Sequence, residues 1–580
     1  MKKVILITAI LLIAVRAYAV MEIIVEAEEQ EPGIYDYIFG AGYIEKSRVL
    51  SAAELLQSIT SIEVINRGVP GAQADLRFNG GSFEQAAIML DGMRVNDPQT
   101  GHYNTDLPVT IYDTGEISVL KNGNSIAGAG GFSGVVDIKT KRHKKDSFKF
   151  FSGYGSFNTS RSALSLVKVY SGIEFSLSGE KLVSDGYHYA TDLDKATLFF
   201  KTAFTDNYFI TAGYDEKEYG AYDFYTPGLG YPSREYLVTR YLNFRAGPLE
   251  NLYIQGFYKN HYDRFTLDGD NPSFYQNEHE TKIFGAAAVY SVNFDRANNI
   301  RFRYDFRREE IESTNLGNHF RASSALSASG FFLPSENLSV NANCGVEIYD
   351  VYNGAGILPS LAAEYVINGS VKASAAYSYS IRYPSYTDLY YSGPLNEGNP
   401  DLNPEKSHEA SAGAKVQAGK AEISAGIFYK NSSDLIDWAE NTGGVKTWKT
   451  ENIASVETKG ATLDLKLPLD FMVIEASYTF SDSFVSETYI SKYEQYMRNK
   501  AVLCADFEMF SFRIKAKYLF KNYASRSDCY SGMDILLSRE VFKGAELTFR
   551  CNDIFDSKFE EVPGIPAPGR IVEVIARGTF

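Results

Sequence analysis

Gly569-Arg570-Ile571-Val572-Glu573-Val574-Ile575-Ala576-Arg577-Gly578-Thr579-Phe580 closes the sequence. Alternate positions Val572, Val574, Ala576, Gly578 and Phe580 are apolar or small, while the intervening set carries Glu573 and Arg577 beside the isoleucines Ile571 and Ile575. Side chains alternate across a strand, so the tract has one face suited to an apolar medium and one suited to a polar one. An ordinary amphipathic C-terminal strand and the last strand of a bacterial outer-membrane barrel both fit it. The rest of the chain separates the two.

At the other end, Lys2 and Lys3 precede an apolar run from Val4 to Val15, and Ala17-Tyr18-Ala19 supplies the small-x-small pattern of a cleavage site. This reads as a signal peptide over residues 1–19, its apolar run too short to span a bilayer as a helix. Aromatic residues make up 14% of the chain, yet mean hydropathy is only −0.21. That mismatch is expected of a membrane barrel, whose strands are apolar on the outward face alone. A net charge of −15 argues against a nucleic-acid partner, which requires a basic footprint. Four cysteines are too few for a disulfide scaffold.

From residue 146 onward one pattern recurs. Ile173, Phe175 and Leu177 alternate with Glu174, Ser176 and Ser178, and Ile300, Phe302, Tyr304 and Phe306 alternate with Arg301, Arg303, Asp305 and Arg307. Further examples are Ile423 to Tyr429, Ile474 to Phe480 and Phe512 to Tyr518. Ten tight turns punctuate these segments, at 171–172, 206–207, 248–251, 294–298, 333–337, 368–370, 418–420, 468–470, 510–511 and 543–544. Ten turns separate eleven strand–loop–strand units, which predicts about 22 antiparallel strands, the size of a plugged transporter barrel. Residues 146–580 then allow roughly 20 residues for each strand and its share of loop, against about 9–11 needed to cross. A soluble solenoid or sandwich would instead need strands apolar on both faces.

Residues 31–145 differ. Ser51 to Ile59 reads as an amphipathic helix capped by Ser51 with Glu54 three residues on. Short strands at 86–90 and 135–138 follow, among many glycines. The reading is a compact α+β domain lying between an export signal and the barrel.

Here a resemblance becomes specific. Asp75-Leu76-Arg77-Phe78-Asn79-Gly80-Gly81-Ser82-Phe83-Glu84-Gln85 and Met89-Leu90-Asp91-Gly92-Met93-Arg94-Val95-Asn96-Asp97 resemble the plug of TonB-dependent outer-membrane receptors, as does Gly130 to Thr140. Lys121-Asn122-Gly123 departs from the Arg-Gly-Pro usual in that family. Ile381-Arg382-Tyr383-Pro384, Gly398-Asn399-Pro400 and the closing Asn552-Asp553-Ile554-Phe555-Asp556 resemble the family's barrel signatures. The resemblance implies an all-β transmembrane barrel enclosing an N-terminal α+β plug domain. It also implies the family's TonB box at Glu22, Ile23, Ile24, Val25, Glu26 and Ala27, within a linker at residues 20–30. An extended β-branched segment on a leash can add as a strand to a periplasmic partner. TonB is therefore the expected partner, outer-membrane lipid the expected surroundings, and the expected state a monomer without a cofactor. No Ser/His/acid or paired-acid motif points to an enzyme, while a passive porin or an adhesin would leave plug and box unexplained.

A ligand in such receptors sits between plug apex and outer loops. The polar stretch Arg94, Asn96, Asp97, Gln99, Thr100, His102, Tyr103 and Asn104 is one candidate, and the turn from Arg67 to Gln73 another. Tyr222, Phe224 and Tyr225, in the aromatic loop 218–231, are a third group, and Asp268 and Asp270 offer oxygen ligands to calcium. Haem receptors of that family are expected to carry a histidine between the mid-barrel Arg-x-Pro and Asn-Pro motifs, and none of the seven histidines falls between Pro384 and Asn399, so the resemblance disfavours haem. The plug motifs are similar to the cobalamin-receptor-like subgroup, implying a corrinoid ligand. A ferric siderophore or other metal chelate remains the alternative.

Overall fold

The computed structural model describes residues 36–121, 131–295, 297–393, 396–441, 447–485 and 496–580. The expected signal peptide and the segment Glu22 to Ala27 lie outside the described residues. Twenty-two antiparallel strands, from Ser147–Gly155 to Ile571–Thr579, close into a barrel. All ten tight turns fall where the sequence places them, for example between Ser160–Tyr170 and Ile173–Ser184.

Alternation decides which way each strand faces. Phe175 and Leu177 point outward at 44% exposure each, while Glu174, Ser176 and Ser178 between them are buried in the lumen. On Asn299–Ser313 the outward set is Phe302, Tyr304 and Phe306. The barrel closes where Ile571–Thr579 pairs with Ser147–Gly155, setting Val574 opposite Tyr154 and Gly578 opposite Phe150. Phe580 donates its N–H to Phe148 O and accepts the Phe148 N–H, each at 2.8 Å. Ile575, which looks out of place on the polar face, has a partner after all. Ile575 is 1% exposed and packs with Phe151 and Ala163 beneath Leu50 and Tyr112 of the inner domain.

That inner domain fills the lumen. Its sheet runs in the order Tyr37–Gly40, Thr114–Leu120, Gly134–Thr140, Ala86–Leu90, Met93–Arg94, with a separate hairpin of Ile62–Arg67 and Gln73–Phe78. Ala86–Leu90 lies parallel to Gly134–Thr140 and is buried throughout. A short helix, Ala41–Ser47, was not evident from the sequence. The expected helix at 51–59 is shorter, Ala52–Leu56, with Ser51 accepting from Glu54 N as its cap. Ser58 N and Ile59 N bond back three residues, to Leu55 O and Leu56 O, so the last turn tightens and the helix stops.

Wall side chains anchor this domain. Lys500 donates to Ile59 O and Ile62 O at 2.8 and 2.7 Å, and Lys430 to Ser133 Oγ at 2.6 Å. Arg245 donates to Asp91 O at 2.6 Å, Arg303 to Gly92 O at 2.8 Å, and Arg307 to Arg94 O and Asn96 O. Lys217 meets Asp106 at 2.6 Å.

The seam sets a testable limit. A Cβ added at Gly578 would run into the Phe150 ring. Gly578→Val is therefore expected to lower the yield of closed barrel several-fold, roughly as an overpacked core site would. The fraction with heat-modifiable electrophoretic mobility measures this.

Candidate functional site

The hairpin Ile62–Arg67 and Gln73–Phe78 lifts its turn toward the long loops of the barrel. Gly68 (φ +79) and Gly71 (φ +109) occupy the left-handed region that the turn requires. Val69 and Ala72 pack there against Phe224 and Ile565 from two outer loops.

Gln73 and Asp75 share one face of their strand, at 3% and 1% exposure. His102, from the single turn Gly101–Tyr103, places Nδ1 2.9 and 3.0 Å from the two Asp75 oxygens and 2.8 Å from Gln73 Nε2. Arg67 lies 3.7 Å from Asp75 and donates to Phe224 O at 3.2 Å. Burial alone would raise the Asp75 carboxyl, but His102, then Arg67 and Gln73, hold it down at about 2. The imidazole stacks on Phe83 at 4.1 Å and meets the edge of Tyr225 at 5.7 Å, and Tyr225 in turn meets Phe265 at 5.3 Å. The Arg67 guanidinium sits 5.8 Å from the Tyr225 ring centre. Tyr225 remains 39% exposed. The result is an apical patch of aromatic faces around one oriented imidazole, suited to a large ligand with flat apolar surface and a polar or metal-bearing edge.

Of the expected ligand residues, the structure brings together Arg67, Gln73, His102 and Tyr225. The others do different work. Asn96 bonds Ile88 N and Ala86 O, each at 2.8 Å, and Asn104 accepts from Asp97 N. Asp97 accepts from Gln99 N and from Thr281 on the wall, each at 3.0 Å, and Thr100 caps the turn bearing His102. Tyr103 is buried against His261, Arg94 bonds Tyr349 at 3.1 Å, and Tyr222 lies against His188. Inside a packed lumen a polar loop satisfies its own backbone first, so composition overstated how much of it is offered outward. Phe224 is buried beneath its loop.

Asp268 accepts from Asp270 N and Asn271 N, and Asp270 accepts the Tyr189 hydroxyl at 2.5 Å. No group of three His, Cys, Asp or Glu side chains able to hold a metal occurs among the described residues, so the calcium expectation gains no support. Asp75 and Phe83 were not singled out from the sequence as site residues. The alternation Gln73, Asp75, Arg77 on one strand face was the available signal.

Residues 121–532 match the family model described as TonB dependent receptor-like, beta-barrel, and residues 37–135 match TonB-dependent Receptor Plug Domain. The chain belongs to the TonB-dependent receptor family. It is 22% identical over 503 residues to the Vitamin B12 transporter BtuB of Vibrio vulnificus (strain CMCP6), covering 82% of this chain and 77% of that one. Among solved structures, the Copper transporter OprC superposes with a TM-score of 0.76 at 13% identity, covering 91% of this chain and 95% of its own. The siderophore receptor PirA from Acinetobacter baumannii gives 0.75 at 13% identity, with 94% and 98% covered. These two likenesses concern the fold.

The lowered Asp75 acidity carries a stability consequence. Its carboxylate contributes fully above the unfolded value near 3.9 and progressively less as pH falls toward about 2. Asp75→Asn should cost roughly 2 kcal/mol at pH 7. In urea unfolding of the detergent-solubilised protein, the gap from the parent should close by about pH 2.

Proposed function

We propose that this receptor imports a scarce corrinoid-like nutrient across the bacterial outer membrane, drawing energy from TonB through residues 22–27. Residues 1–19 would be removed on export, 20–30 would form the leash, 31–145 the plug and 146–580 the barrel. The apical patch of Phe83, His102 and Tyr225 carries the reading, because it presents ring faces and an imidazole beneath the outer loops. A filled lumen also argues against a passive porin. The likeness to a vitamin B12 transporter supports the corrinoid over a ferric siderophore, which is the other ligand to test.

The experiment is growth-limited uptake of labelled cyanocobalamin, with a ferric siderophore in parallel, in cells carrying the full chain or the chain lacking residues 22–27. Cyanocobalamin uptake should fall to background in the deletion while surface binding persists. Uptake of either ligand unchanged by the deletion would sink coupled transport, and deletion-sensitive uptake of the siderophore alone would reassign the ligand.

His102→Ala should weaken cyanocobalamin binding about tenfold, equivalent to about 1.4 kcal/mol. Equilibrium binding to purified protein checks this, with Asn96→Ala as a comparison expected to affect stability more than affinity.

A further inference from the structure

A groove of about 530 Å³ opens on the outer surface of the barrel, beside the seam and at its short-turn end. Leu166 of the strand Ser160–Tyr170 forms its floor, and Leu164, also outward, continues that floor along the strand. Register builds the walls. Leu166 stands opposite Phe148 on one side and Leu177 on the other, and Leu177 stands opposite Phe200. Phe580 stacks on Phe148 at 6.3 Å, so the terminal ring heightens the first wall, as Phe175 does the second. Neighbouring strands lie about 4.8 Å apart, which leaves roughly 10 Å between the two walls. A single hydrocarbon chain can lie along such a trough, on two leucines and between rings.

The mouth of the groove is charged. Asp146 lines it, accepting from Val169 N at 2.8 Å and meeting the Lys168 ammonium at 2.5 Å. Those two side chains cancel each other's charge. Immediately before Asp146 runs Lys141-Arg142-His143-Lys144-Lys145, a basic cluster in a chain whose net charge is −15. Its first members are committed to carboxylates, Lys141 lying 3.9 Å from Glu45 and Arg142 2.6 Å from Glu174. Lys144 and Lys145 are exposed, and neither enters an ion pair among the described residues. Both stand within two residues of Asp146, at most about 7 Å along the chain. Short turns of outer-membrane barrels face the periplasm, so this mouth sits at the headgroups of the periplasmic leaflet.

We propose that the groove is a binding site for one anionic phospholipid of that leaflet. An acyl chain lies on Leu164 and Leu166, and the phosphate is held by Lys144 and Lys145. The apolar trough alone would take a chain from any lipid. The two uncommitted ammonium groups make the choice, because a zwitterionic headgroup would bring its own cation toward them. The chain packs against Phe148 and Phe580, whose backbones close the barrel, so the lipid favours the closed state by mass action. The site is independent of the cargo.

The test uses the purified full chain in detergent, with heat-modifiable mobility confirming that each barrel is closed. Native mass spectrometry follows the binding of dioleoyl phosphatidylglycerol and dioleoyl phosphatidylcholine. The parent should hold phosphatidylglycerol at least about tenfold more tightly than phosphatidylcholine. Lys144→Gln with Lys145→Gln, at exposed positions, should bring the two lipids within about twofold of each other. Leu166→Trp raises the floor and should weaken phosphatidylglycerol at least about fivefold. Ala286→Trp, on the outward face of the distant strand Gln276–Asn293, should change it less than about twofold. Equal binding of the two lipids by the parent overturns the proposal, as does equal weakening by Leu166→Trp and Ala286→Trp. So does a dimer that excludes lipid and is lost in Leu166→Trp, since a second copy of the chain would then occupy the groove.

A second readout is the temperature at which the mobility shift is lost. Phosphatidylglycerol should raise it by at least about 3 °C in the parent and leave K144Q/K145Q unchanged. An equal rise in both proteins overturns the assignment of the headgroup to these lysines.

Discussion

The exchange of backbone hydrogen bonds between Phe580 and Phe148, at 2.8 Å each way, removes the last free edge of the sheet. Within a bilayer no water is available to bond unpaired amides, so a spanning sheet must close on itself. Closure at 22 strands leaves a lumen too wide for wall side chains to fill. Something else has to occupy it, and the chain supplies that from its own N-terminal part. The strand alternation that turns Val574 toward lipid also turns Ile575 inward, where it meets Leu50 and Tyr112 of the plug. A single period-two pattern thus serves two solvents, one of them the plug.

The same alternation dictates how the plug is held. Because the apolar residues are committed to the lipid face, the lumen face is left with Lys, Arg, Glu and Ser. The plug, with short elements joined by irregular backbone, presents carbonyls in places that water cannot freely reach. Lys500, Arg245, Arg303 and Arg307 supply donors to those carbonyls. A buried carbonyl without a partner would be costly, so wall cations and plug loops have to match position by position. Helix Tyr386–Tyr390 extends the match to the outer loops, with Tyr386 N and Thr387 N bonding Pro98 O and Gln99 O at 2.8 and 3.1 Å.

The barrel was legible because its signal is local and repeated. Each tight turn, such as Ser171-Gly172 or Lys543-Gly544, announces itself without knowledge of its partners, and eleven hairpin units fix the strand number. The plug's motifs were legible as a resemblance, but not the work of their residues. Arg382 in the mid-barrel motif bonds Glu405 at 2.6 and 2.9 Å and Asp388 at 3.1 Å, and Glu405 also accepts from Gln85 of the plug at 2.9 Å. Such a contact joins positions 320 residues apart and leaves no local trace. The apical site failed in sequence for a related reason. Asn96, Asn104 and His102 look alike as polar loop residues, and only three-dimensional placement distinguishes the two that brace backbone from the one facing the loops.

A polar plug–wall interface also bears on movement. An apolar interface of this extent would lose its hydrophobic stabilisation as soon as water entered, because exposed hydrocarbon finds no replacement partner. A hydrogen-bonded interface behaves differently. When Arg48 leaves Glu546, or Arg161 leaves Leu50 O, water can satisfy both sides, so the net cost per bond is about 1 kcal/mol rather than its full strength. The spaces flanking residues 48–54 on the seam side, about 350 and 310 Å³, are large enough to admit water. Behind Ala86–Leu90 the core is apolar and closed, and opening there would expose Ile88 and Leu90. Barrel closure forces polarity onto the lumen wall, and that polarity sets the terms on which plug and wall can part.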